Sequence, residues 1–151
     1  MMRVEEPKAR KLEPGLMERA IEFHGHGGPF MVVGLRMGLM ALERLGARGW
    51  FDISCRARLR WGPPDSCVVD GIQISSGCTT GKHNMEVEEA EGIQAEFTVE
   101  GARLVVRLRT DTLERIRDAL ASGDESVIGS LMSELAEAPE GEMFEVTRVD
   151  A

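Results

Sequence analysis

Every histidine and every cysteine of this chain lies between residues 24 and 83: His24, His26, His83, Cys55, Cys67 and Cys78. Imidazole and thiol are the side chains that ligate transition metals and that act as base and nucleophile. Residues 84–151 contain neither, so the reactive part of the molecule is sought in the first half.

His24 and His26 flank Gly25 and precede Gly27, Gly28 and Pro29. In a continuous helix, residues two apart point about 200° away from each other and cannot share a ligand. In an extended or turning segment they return to one face. The glycines impose such a segment. Two readings stay open: both imidazoles converge on one ion, or one ring packs on the core while the other is solvated.

Cys67 falls at the start of a short predicted helix, where unpaired N–H groups and the helix dipole favour a thiolate. Cys78 follows that helix in Gly77-Cys78-Thr79-Thr80-Gly81. Ten residues separate the two cysteines, unlike the C-x-x-C of a zinc ribbon. Spacing alone equally allows a small core thiol and a loop thiol. Cys55 lies on the apolar side of an alternating strand, between Ile53 and Ala57, and reads as core. The loop from Gly77 to His83 lacks the Walker A spacing. Thr79 and Lys82 are nevertheless candidates for holding an anionic cofactor group through backbone N–H groups and one positive charge. The alternative is an ordinary tight loop.

The elements that must position these residues follow from periodicity and punctuation. A helix is predicted over 14–23, opened by Pro14 and ended by the glycines. A second, apolar nearly all round, runs from Pro29 to about Leu45 and is expected to be the buried central helix. Residues 51–61 alternate as a half-exposed strand, with Arg56, Arg58 and Arg60 outward, available to a partner's acidic surface. Asp65 or Ser66 is expected to cap a helix from Cys67 to about Ser75. Residues 86–100 read as one strand, with 102–109 as its hairpin partner. Glu86, Glu88, Glu89 and Glu91 read as a solvated face. Helices to about Ala121 and from 124 or 125 to Ala136 follow, then a break at 139–141 and a final strand over 144–149. The fold class is therefore α+β, a single domain over 1–151, with a central buried helix packed on an antiparallel sheet. The charged residues 1–13 are the segment open to flexibility.

Charged residues make up 29% and hydrophobic residues 42% of the 151, a globular balance. The net charge of −8 argues against nucleic-acid binding and against anionic membrane surfaces. No apolar run is long enough to span a bilayer, and no secretory signal is evident. An odd cysteine count without an export signal fits free thiols or metal ligands in the cytoplasm.

Two segments resemble a known family. Phe23-His24-Gly25-His26-Gly27-Gly28-Pro29, followed by an apolar helix, is similar to the first signature of the FmdE family of formylmethanofuran dehydrogenase proteins. Asp65-Ser66-Cys67-Val68-Val69-Asp70-Gly71-Ile72-Gln73 with Gly77-Cys78-Thr79-Thr80-Gly81-Lys82-His83-Asn84 resembles the second. The resemblance covers roughly residues 14–110. It implies an α+β domain, a homodimer, and a metal pocket where the signatures meet, built by His24, His26, Cys67 and Cys78, with Asp70 and Lys82 nearby. Two departures stand out. The family pattern carries Cys-Pro-Gly after the His-x-His, where this chain has Gly28-Pro29-Phe30. The C-terminal zinc ribbon of many members has no counterpart, since no cysteine follows Cys78.

The expectation is a metal-binding accessory or regulatory protein. Two imidazoles and two thiolates would neutralise a divalent transition metal, zinc first. The alternative is an enzyme with a catalytic metal or an activated cysteine thiolate, acting on a small, anionic substrate. Its partner would be a small-molecule ligand or another enzyme component.

Overall fold

The computed structural model describes residues 12–150; the expectation of flexibility for residues 1–11 lies outside the described residues. Helix α1 (Pro14–His24) opens on Pro14, and its backbone turns at Gly25, φ +98°, a left-handed conformation that glycine adopts without steric cost. Helix α2 (Pro29–Leu45) begins at the next proline and ends at Gly46. Most of its residues are buried, which makes it the central helix its composition predicts. Arg36, the charge that interrupts its apolar run, donates to the carbonyls of Leu135 and Ala138, each at 2.7 Å. A guanidinium there caps the carbonyl end of another helix, α5 (Glu125–Glu137). Burial pulls the Arg36 pKa down, against an opposing pull from Glu140.

The sheet contains β1 (Ser54–Leu59), β2 (Met85–Glu89), β3 (Gln94–Val99), β4 (Ala102–Leu108) and β5 (Phe144–Asp150), in the order β2-β1-β3-β4-β5. Three of its pairings are antiparallel, but β1 and β2 run parallel, so the sheet is mixed. The segment expected as one strand over 86–100 is two. Ala90-Glu91-Gly92 breaks it, with Gly92 at φ +74°. The parallel pair arises because the chain leaves β1, crosses through α3 (Cys67–Ser76) and a 3₁₀ turn (Thr80–Lys82), and re-enters in the same direction.

One face of the sheet carries Cys55, Ala57, Leu59, Ala95, Phe97, Leu104, Val106 and Leu108, all buried. The other face explains the outward arginines. The parallel register sets Arg56 opposite Glu86 and Arg58 opposite Glu88. Ion pairs close at 3.3 and 3.1 Å. The basic and acidic alternations therefore meet each other within the sheet. Arg60 instead donates to the Pro63 carbonyl at 2.5 Å.

Helix α3 lies against α2 at a separation only glycine permits. A Cβ at Gly34 would stand 2.0 Å from the Val68 carbonyl oxygen, and one at Gly71 2.2 Å from that of Met31. Gly38 faces Ser75, whose hydroxyl would be 1.9 Å from a Cβ there. Backbone on backbone, without side chains between, fixes where α3 starts relative to the start of α2. Helices α4 (Thr110–Ser122), α5 and the short α6 (Glu140–Met143) complete the domain.

Candidate metal centre

His24 is the last residue of α1, and the turn at Gly25 brings His26 back beside it. The ring centroids are 4.6 Å apart with planes tilted by 45°. The first turn of α3 meets this corner with two residues three apart, Cys67 and Asp70, a spacing that shares one helix face. Asp70 Oδ2 accepts from His24 Nδ1 at 2.5 Å. The His26 Nδ1 donates to the Gly27 carbonyl at 3.1 Å. The His24 side chain is only 9% exposed, and its Nε2 is buried without a hydrogen-bond partner. His24, His26, Gly28 and Cys67 line one small cavity of about 50 Å³, with Phe30, Met31, Pro64 and Leu120 among its other lining residues.

The cavity therefore gathers three of the four expected ligands. Cys78 is elsewhere. It is fully buried, its Sγ donates to the Ile53 carbonyl at 3.5 Å, and it does not line the cavity. It also lies close enough to Cys55 to help raise that thiol's pKa well above the ordinary range, after burial. Cys55 is core, as its place in the strand predicts. Among the described residues no three His, Cys, Asp or Glu side chains already converge on one point at ligand distance. The Cys67 thiol is pushed up, chiefly by burial, then by the Asp70 and Asp65 carboxylates. Burial and a negative neighbourhood thus shift it away from the thiolate that a helix start was expected to favour. The Cys67 N–H is also already bonded, to the Pro64 carbonyl.

Asp65 does not cap α3. Its carboxylate, 1% exposed, takes a two-point clamp from Arg117 of α4 at 2.9 and 3.2 Å. Ser66 occupies the N-cap position, with no side-chain bond to the helix. Thr79 and Lys82 come together, but with each other. Lys82 Nζ donates to the Gly77 carbonyl at 2.7 Å and to Thr79 Oγ1 at 2.9 Å. Asn84 accepts from the Thr79 N–H and donates to the carbonyls of Trp50 and Ile53. These bonds close the loop on itself. His83, at φ +61°, lines a separate polar cleft with Glu86 and Glu96. The family likeness puts Asp70 near the pocket, but its pairing with His24 is what the sequence reading lacks. Its signal was the Cys-x-x-Asp spacing at a helix start.

Fold and cavity together define a class: an α+β domain with an imidazole–thiol pocket at the meeting of three helix ends. The profile of the FmdE family, described as the molybdenum formylmethanofuran dehydrogenase operon, matches residues 23–145. The chain belongs to that family. A 71-residue stretch is 38% identical to a probable S-adenosyl-L-methionine-binding protein of Archaeoglobus fulgidus, covering 46% of this chain and 19% of that protein. The chain thus spans about a fifth of the curated relative it matches. The fold is similar to the crystal structure of a tungsten formylmethanofuran dehydrogenase FmdE-like protein from Syntrophus aciditrophicus. The TM-score is 0.64 at 20% identity, over 91% of this chain and 71% of that one.

Proposed function

We propose that this FmdE-family domain is a metal-binding accessory or regulatory protein, with His24, His26 and Cys67 as ligands of one divalent transition metal, zinc first. The observation that carries it is the buried, unpartnered His24 Nε2, in a ring whose Nδ1 is held by a carboxylate. A buried polar atom without a partner is costly, and a cation in the cavity would supply one. The donor set also suits the ion, since imidazole and thiolate bind zinc and its neighbours. The metal would offset the burial and the carboxylates that hold the Cys67 thiol up. With three protein ligands it would keep one open position, and there it would act as a Lewis acid toward a bound water or small ligand.

An activated-cysteine enzyme has less support. The His24 Nε2 makes no hydrogen bond to a thiol, and the Cys67 thiol is shifted away from its reactive form. Among the described residues no helix is long and apolar enough to cross a membrane. We place the protein in the cytoplasm, because three cysteines without a disulfide suit a reducing compartment. We also expect a homodimer: Phe23, next to His24, and Trp61 are 55% and 60% exposed. Sedimentation showing only a monomer at micromolar concentration would remove that part.

Elemental analysis of untagged protein tests the metal. About one zinc or related ion per chain is expected, lost in Cys67→Ser and in His24→Ala and kept in Cys78→Ser. A metal content indifferent to His24 and Cys67 would overturn it.

A further inference from the structure

We infer that Asp70 is the positioning residue that holds His24 in its Nδ1–H form and so offers Nε2 to the cavity. The functional weight of this inference rests on the metal-binding proposal above. A neutral imidazole carries its proton on one nitrogen and a lone pair on the other, and the hydrogen bond made by one decides the role of the second. An ionised carboxylate can only accept. The 2.5 Å contact between His24 Nδ1 and Asp70 Oδ2 therefore places the proton on Nδ1.

The ring is not free to turn away from this assignment. Its side chain is only 9% exposed, and the Nδ1 edge is taken by Asp70. The remaining nitrogen is the buried one with no partner. The neighbouring ring is arranged alike. The His26 Nδ1 meets the Gly27 carbonyl, which can only accept, and this leaves its Nε2 as the lone-pair nitrogen. Both imidazoles thus keep the same atom, Nε2, as the lone-pair nitrogen. For His26 the main chain makes the choice, and for His24 a side chain does.

The helix geometry explains how one carboxylate can serve this purpose. Cys67 and Asp70 occupy the first turn of α3. There a carboxylate is favoured by the helix dipole, and residues three apart face the same way. One turn therefore delivers a thiol to the cavity and an orienting group to the imidazole opposite it. A purely structural His–Asp pair would be satisfied at both ends. This one leaves Nε2 buried and unpaired, which identifies the pair as support for an incoming ligand.

Long-range ¹H–¹⁵N correlation spectra of the metal-free protein, at a pH of about 8.5 where an ordinary imidazole is neutral, test the assignment directly. His24 is expected as the Nδ1–H form in the wild type, and as a mixture or the Nε2–H form in Asp70→Ala. Asp70→Asn, whose amide oxygen still accepts, should retain the Nδ1–H form at least in part. His83 signals should be identical in all three, which separates a local effect from misfolding. An Nε2–H His24 in the wild type, or an unchanged His24 in Asp70→Ala, overturns the inference. Co(II) titration of the same samples separates this from the metal proposal. Asp70→Ala should bind Co(II) about 10–100-fold more weakly, with Asp70→Asn between the two. Wild type that binds no Co(II) while showing the Nδ1–H form defeats the metal proposal and leaves the positioning role of Asp70 standing.

Discussion

Gly28 stands where the family pattern carries a cysteine. Its φ is −155°, extended backbone open to any residue, and a Cβ there would meet the His26 ring at 3.5 Å, ordinary contact. Gly28→Cys should therefore be accommodated and add a thiol to the cavity wall. Co(II) affinity measured by competition is expected to rise at least about tenfold, with a new thiolate charge-transfer band. Unchanged affinity would show that position 28 does not look into the metal site. Cys67 carries its own pH signature. Burial, Asp70 and Asp65 raise its pKa, so its reactive thiolate forms only above the usual thiol range. In chelator-treated protein, alkylation of Cys67 should lag behind free cysteine at neutral pH and catch up as pH rises. Asp70→Asn removes one of the two carboxylates and should speed it at neutral pH. The histidine pair was legible because glycines announce a turn. The displacement of Cys78 was not, because spacing and family likeness do not say which thiol the core will bury.

Glycines also decide how the elements meet. Gly34 and Gly71 let α2 and α3 touch backbone to backbone. Gly71→Ala would push a methyl group to 2.2 Å from the Met31 carbonyl, forcing the helices apart, at a cost of about 3 kcal/mol in urea denaturation. It should also weaken metal binding, since the start of α3 carries Cys67. Gly129 is the control. It lies inside α5, with nothing within 4 Å of a Cβ, and Gly129→Ala should stabilise by about 0.5–1 kcal/mol. Helix ends were readable, because Pro14 and Pro29 open helices and Gly25 and Gly46 close them. The order of strands was not. Nothing local in residues 85–99 says that the first half will pair in parallel with β1 and the second half antiparallel, since that choice is made by the crossover through α3. The match of Arg56 and Arg58 to Glu86 and Glu88 was present in the charges, but only the register reveals it.

Across the whole molecule, the Arg117–Asp65 clamp is the tie between α4 and the loop that leads into α3. Arg117 is 48% exposed but Asp65 is 1% exposed. Arg117→Ala would strand a buried carboxylate, and a loss of about 2–3 kcal/mol is expected by thermal or urea unfolding. Arg117→Lys, a single-point donor, should recover part of it. Loss no greater than at an exposed pair such as Arg103–Glu96 would show that water reaches Asp65 once the arginine is gone. The parallel β1–β2 pair has one more consequence, for the order of events in the cell. The crossover helix it requires lies beyond α2 and β1, so Cys67 is far from His24 in sequence and Asp70 is 46 positions from it. A zinc finger collects its first two ligands within one short loop, and the metal can nucleate its folding. Here only His24 and His26 are local, and bringing Cys67 to them means closing a long loop of disordered chain, which is entropically unfavourable. The nascent polypeptide should fold first and acquire its ion afterwards. Refolding rates should then be the same with and without Zn(II), while the unfolding rate alone falls when the ion is present.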